Sequence, residues 1–482
     1  MPALSPFRRL VLIGLLTEAA YVVVLVRPFS LLRYYATPLL DLGKITNHQP
    51  WIQATIALVL VFLLYVSAYR TKGGVELCRV VLAFGILFSL TLVFVYPVGA
   101  LDIFDYIFAG REMVAYGANP YLVMPQVFAD DPFFAYVGWQ TFPFTYGPLF
   151  GLLSGSIGLA AHDNLLLNLL LFKGVAVAAY VIASAMIYRL LQREAPERAL
   201  AGVILFSWSP LVVFEVATNA HNDILVVLFV VAGLVAFAAG RRPLALASLA
   251  LSVFTKFVTA PLALLWLVAG LRATIGARQR LVFLLSSAAL VAVIGGLLYA
   301  PFLTDSSTRR TVLLAPTKRQ EFFTSSVPSL FVIATRDRLG NVKAEAAARN
   351  ISLLLLALFS VFQALRVMGT WQDLTRASYN VVLFYLLFLC PWFQPWYVMW
   401  VVPLAALLPG RTRAHVATIF SLAAMGKYLV YDFFWFSNAE TMDTTRIEIL
   451  AVAVIYVLPL AYLAAVALQS LAKRSLAKTT VV

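Results

Sequence analysis

The stretch Leu101–Tyr121, LDIFDYIFAGREMVAYGANPY, lies between long apolar runs and carries Asp102, Asp105, Arg111 and Glu112. Charge beside a membrane is expensive and is kept where it works. Asp102 and Asp105 are three residues apart, so a helix puts both carboxylates on one face. Such a pair suits a catalytic base and a partner that supports it, orients a substrate or holds a cation such as Mg or Mn. Acids are also favoured at a helix start by its dipole, which is the plainer account of the pair taken alone.

Other polar groups interrupt apolar sequence in the same manner. Residues 215–223 pack Glu215, Asn219, His221, Asn222 and Asp223 into one short junction. Helix capping accounts for Asn222-Asp223 but not for Glu215. His221 would serve as a base, as a donor to a phosphate, or simply lie exposed. Lys256 in SVFTKFVTAP and Lys173 in LLLFKGVAV have apolar neighbours; snorkelling competes with anion binding or pairing with a carboxylate. The stretch 302–349 is rich in bases, among them Arg309, Arg310, Lys318, Arg319 and Arg349. They suit an anionic partner such as a lipid phosphate, or loose attraction to lipid headgroups. Cys390 to Tyr397, CPWFQPWY, places Gln394, Trp396 and Tyr397 in a proline-broken elbow, which at membrane depth implies backbone lining a cavity. The loop after the Asp pair has turns around Gly117–Tyr121 and at Tyr146-Gly147-Pro148, with aromatics that suit a membrane interface or the apolar faces of sugars. No phosphate-binding glycine loop, dinucleotide fingerprint, zinc spacing or serine-nucleophile elbow occurs.

These residues must be held by helices in a bilayer. Hydrophobic residues make up 62% of the chain and charged residues 12%, and mean hydropathy is +0.90. A soluble domain carries about twice that share of charge. The fold class expected is an all-α polytopic membrane protein. Cys78 and Cys390, about 300 residues apart, read as packing residues. The net charge of +14 fits lipid headgroups and cytoplasmic loops, with no need of nucleic acid. The N-terminus, with Arg8-Arg9 before an apolar run, reads as an uncleaved first helix. Spanning runs are expected near 10–27, 51–69, 79–98, 165–189, 199–217, 224–240, 281–301, 350–366, 414–431 and 447–468. Shorter ones fall at 147–160, 243–254, 258–271, 379–391 and 396–409. Basic residues put both termini inside, make about fourteen crossings, have 147–160 dip and return, and set Lys256 at the outer tip of a hairpin. Every polar cluster then emerges on the outer face, with 99–147 and 302–349 as outer loops of one membrane domain, 1–482.

Taken together, Asp102-Ile-Phe-Asp-Tyr with Gly110, Gly117 to Tyr121, Tyr146-Gly147-Pro148, His221-Asn222-Asp223 and Gln394-Pro395-Trp396-Tyr397 resemble the GT-C superfamily of membrane glycosyltransferases. The chain looks similar to the polyprenyl-phosphate-mannose-dependent α-mannosyltransferases of bacterial envelopes. The resemblance implies about 12–14 transmembrane helices with large extracytoplasmic loops carrying short helices, in a plasma membrane. It implies a polyprenyl-phosphate sugar donor, most simply mannose, and a glycan or glycolipid acceptor. Asp102 would be the base of an inverting transfer, with Asp105 in support. Lys256, His221 and the Arg309/Arg310 or Lys318/Arg319 pairs would meet the departing phosphate. Glu215, Asn222, Asp223, Arg111, Tyr121, Tyr146, Gln394, Trp396 and Tyr397 complete the expected substrate-binding set, with no fixed metal site. The competing class is a transporter or flippase of lipid-linked sugars, which would favour a site at the membrane midplane.

Overall fold

A computed structural model describes residues 4–37, 49–303, 309–314, 322–431 and 443–479. The longer helices are α1 (Pro6–Tyr21), α2 (Gln49–Tyr69), α3 (Cys78–Leu92), α4 (Asp102–Ala115), α5 (Pro148–Ala161) and α6 (Leu165–Glu194). Then come α7 (Pro196–Ser207), α8 (Pro210–Ala217), α9 (Asp223–Ala238), α10 (Arg242–Thr255), α11 (Leu262–Ala273) and α12 (Ala277–Tyr299). The last are α13 (Val327–Leu339), α14 (Asn341–Arg366), α15 (Trp371–Phe384), α16 (Arg411–Tyr428) and α17 (Thr444–Thr479). Among the described residues β-structure is limited to two isolated bridges.

Six helices are long and apolar enough to cross a bilayer, or up to seven if the bent pair Pro196–Ser207 and Pro210–Ala217 is one span. Their apolar residues face outward: on α12, Leu285 and Leu297 are 62% and 70% exposed, as lipid contact requires and water would not tolerate. Further apolar helices of 10–17 residues, α9, α10 and α11 among them, are too short for a full crossing on their own.

Local chemistry sets the boundaries. Proline opens α5, α7 and α8, where its missing N–H costs nothing. Asn164 caps α6 by accepting from the Leu167 N–H. Between α10 and α11 the chain is extended at Lys256 (φ −154°, ψ 124°), the helix–break–helix expected of a hairpin tip. The core runs through α8 and the 395–407 segment, where every residue is buried. Residues projecting from these pieces are therefore held rigidly.

Two expectations need correction. Residues 148–161 do not dip and return; α5 is one uninterrupted helix. It packs along α4, and at Gly110 the approach is so close that an added Cβ would stand 2.3 Å from the Ser154 carbonyl oxygen. The start of α5 meets Asp102 through Tyr146, and Asp163, just past its end, meets Arg111. The two helices thus run in parallel. Nor does 302–349 carry short helices alone: besides α13, the 26-residue α14 starts within it at Asn341, so Arg349 sits on a long apolar helix.

Candidate active site

Asp102 is the first residue of α4 and 7% exposed. Its Oδ1 accepts a hydrogen bond of 2.8 Å from the Tyr146 hydroxyl, which also stands 3.5 Å from that of Tyr106. Tyr146 is placed by its neighbour. The Gly147 N–H donates to the Thr255 carbonyl at 2.9 Å, and a Cβ on Gly147 would lie only 2.0 Å from the Phe254 carbonyl oxygen. Only glycine lets the end of the first loop join the end of α10 here.

That junction brings Lys256 over Tyr146. The ammonium stands 5.6 Å from the Tyr146 ring centroid, 4.6 Å from Tyr397 and 5.5 Å from Trp400. It binds both carboxylate oxygens of Asp223, at 2.9 and 3.0 Å, and the Trp400 indole N–H donates to the same carboxylate at 2.8 Å. The Asp223 side chain is fully buried, and burying one member of such a pair without the other would be far costlier. Aromatic faces around the ammonium supply a second, weaker attraction.

These residues border a cavity of about 400 Å³. Tyr146, Lys256, Tyr397, Trp400 and Arg349 contribute its polar lining, while Leu262, Leu353, Leu356 and Val381 bring apolar walls from α11, α14 and α15. It combines apolar walls with two basic groups and lies beside a carboxylate.

Asp105 has different surroundings. Its Oδ1 accepts from the backbone N–H groups of Gly138 (3.0 Å) and Trp139 (2.9 Å), so it fastens the far side of the first loop to α4. Further along α4, Glu112 is 1% exposed. Burial, reinforced by the Asp105 charge, pushes its carboxyl up to about 8, which keeps it protonated at neutral pH.

A second polar cluster lies behind the first. Glu215 accepts from Asn219 (2.8 Å) and from the Tyr428 hydroxyl (2.7 Å). His221 Nε2 lies 3.3 Å from Glu215 Oε2 without the alignment of a hydrogen bond, and its ring stacks on Trp396 at 3.8 Å. The Asn222 amide is buried, and among the described residues neither of its polar atoms has a hydrogen-bond partner. Between Asn219 and His221, Ala220 takes a left-handed conformation, φ 53°, costly for a residue with a Cβ. Lys427 donates to Gln394 Oε1 (2.9 Å) and the Phe393 carbonyl (2.7 Å), fixing the elbow. Lys173 is wholly buried and donates to the carbonyls of Val95, Ala217 and Thr218. It ties the entry to the first loop to the end of α8.

Asp102, Tyr146, Lys256, Asp223 and Tyr397 are thus brought together, with Trp396, His221 and Glu215 adjoining. Arg111 is not part of this group: it pairs with Asp131 (2.5 Å) and Asp163 (2.6 Å) and covers the Phe133 ring. Tyr121 packs against Phe144 and Phe302. Arg309 and Arg310 are exposed on a short helix, Arg309–Leu314, and Lys318 and Arg319 lie outside the described residues. Sequence reasoning passed over Trp400, Lys427 and Tyr428. Lys427 carried the same signal as Lys256, a lysine within an apolar run.

Among the described residues no three His, Cys, Asp or Glu side chains stand together as a metal site would need. A family model described as "Alpha-(1->6)-mannopyranosyltransferase, N-terminal domain" matches residues 7–273. Searches of curated proteins and of solved structures gave no match. The family match covers more than half of the sequence, and the chain belongs to that family, a mannosyltransferase family of the GT-C type.

Proposed function

We propose that this member of the mannosyltransferase family acts as one membrane domain of a plasma membrane. On the extracytoplasmic side it moves mannose from a polyprenyl-phosphate donor to a hydroxyl of a glycan or glycolipid. The observation that carries this reading is the cavity, in which apolar walls from α11, α14 and α15 meet Lys256, Arg349 and Tyr146, the last hydrogen-bonded to Asp102. A lipid phosphate needs an apolar path for its chain and positive charge for its head; this cavity offers both.

Asp102 is the base. It takes the proton of the acceptor hydroxyl as that oxygen attacks the anomeric carbon. The bond from that carbon to the phosphate oxygen breaks, and polyprenyl phosphate departs with the electron pair. Attack from the face opposite the phosphate inverts a β-linked donor to an α-mannoside. The family's description specifies a 1→6 linkage, so the attacking oxygen here is a primary hydroxyl. Tyr146, donating to Asp102, holds the carboxylate in place. Lys256, backed by Asp223, and Arg349 meet the charge that grows on the phosphate. Asp105 positions the loop through Gly138 and Trp139 and does not touch the reacting atoms.

The test is transfer of label from polyprenyl-phosphate mannose to an α-mannoside acceptor by the purified protein, with Asp102→Asn in parallel. Transfer by wild type alone is expected. Equal transfer by the variant overturns the assignment of the base, and no transfer by folded wild type overturns the donor.

A further inference from the structure

Four aromatic side chains from three separate stretches meet beside the cavity. Trp139 and Phe142 come from the first loop, Phe322 from the segment before α13, and Trp392 from the elbow. The ring centroids of Trp139 lie 5.7 Å from Phe142, 5.5 Å from Phe322 and 5.4 Å from Trp392. Phe322 also meets Phe142 at 5.3 Å and Trp392 at 5.7 Å. All four are partly exposed, unlike the core aromatics.

Each part of the cluster is fastened from behind. The Trp139 N–H is held by Asp105. The Phe393 N–H donates to the Thr324 carbonyl at 3.2 Å, the Thr324 N–H donates to the Pro391 carbonyl at 3.1 Å, and the Ser326 hydroxyl donates to that same carbonyl at 2.7 Å. Glu448 accepts from Thr324 Oγ1 (2.7 Å) and the Ser325 N–H (2.6 Å), where Ser325 is held at φ 53°. Fixed rings need little further ordering when a ligand binds.

We infer that this cluster is the platform on which the sugar ring of the acceptor glycan stacks. The inference rests on the transferase reading above. Pyranose rings present C–H faces that pack on aromatic faces. Trp392 also lines the cavity, whereas Trp139, Phe142 and Phe322 do not, so the platform continues outward from the donor's place. Asp105 lies directly behind Trp139 and shares its helix with Asp102. A glycan laid on the rings is thereby held in register with the base.

The test uses the full-length protein in detergent. Tryptophan fluorescence is titrated with an α-1,6-linked mannooligosaccharide, with no donor present, for wild type, Trp139→Ala and Trp139→Phe. Acceptor and donor KM values are then measured separately. Wild type is expected to give a saturable fluorescence change. Trp139→Ala should raise acceptor KM by about three- to tenfold, the range of a single aromatic contact, with donor KM unchanged. Trp139→Phe should recover much of the loss, which a merely folding-related role for the ring would not require. A rise in donor KM instead, or unchanged acceptor KM in Trp139→Ala, overturns the platform while leaving the transferase reading intact. If wild type transfers no mannose, that reading falls separately and the titration decides: no saturable change overturns the platform as well.

Discussion

The contrast between Asp102→Asn and Asp105→Asn separates chemistry from positioning within one turn of helix. Asp102→Asn keeps the shape, and the amide oxygen can still accept from Tyr146 Oη, now 2.8 Å from Oδ1. What disappears is the basicity. A positioned base contributes about 10²–10⁴ in rate, equal to about 3–5 kcal/mol of barrier. Asp105→Asn likewise retains an oxygen for the Gly138 and Trp139 N–H groups and loses the charge that strengthens those bonds. With bonds to charged groups about twice as strong as neutral ones, the deficit is about 1–2 kcal/mol of loop order, and kcat falls by no more than about thirtyfold. Single-turnover transfer from labelled donor, with thermal unfolding measured alongside, reads both. The reasoning is refuted if Asp105→Asn loses as much rate as Asp102→Asn at equal stability, or if Asp102→Asn keeps a tenth or more of wild-type activity.

Lys256→Met should destabilise the protein by about 3–5 kcal/mol by stranding the buried Asp223 carboxylate, and adding Asp223→Asn should recover most of that in a thermal melt; no recovery would mean the pair is not coupled. Gly147→Ala should sharply reduce transfer, because its Cβ collides with the Phe254 carbonyl. Gly174→Ala on α6, where nothing lies within 4 Å, should leave activity unchanged; similar behaviour of the two would count against the junction. Glu112, raised from 4.5 to about 8, binds its proton more tightly when folded. It therefore costs nothing below about pH 4.5, and stability falls as pH rises from there to about 8, by at most about 5 kcal/mol. Glu112→Gln should flatten the melting temperature across pH 5–8 and raise it at pH 8; an unchanged slope would show that another group sets it.

What the sequence disclosed follows from the range of each signal. The break at Lys256 is local and appears as read; apolar length is local too, but a run such as 224–240, expected to span, forms the 16-residue helix α9 and falls short of a full crossing. Asp102 and Asp105 share one turn, yet their surroundings separate them, because Gly138 and Trp139 reach Asp105 only when the loop folds back. Arg111 looked like a substrate ligand because its partners, Asp131 and Asp163, are 20 and 52 residues away. The Asp223 pairing of Lys256 spans 33 residues and its Trp400 bond 177, distances at which no periodicity speaks. Trp400 was hidden inside an apolar run, where an indole reads as packing until something accepts from its N–H.

The meeting of Gly147 with Phe254 and Thr255 also bears on how such proteins can diverge. Backbone touches backbone there, so no change of side chain elsewhere can make room for a bulkier residue at that point. The first loop and the Lys256 hairpin are accordingly fitted to each other as a pair. A chimera that exchanges residues 99–147 alone would import a loop shaped for another hairpin, whereas one that carries 242–273 with it moves a matched lock and key.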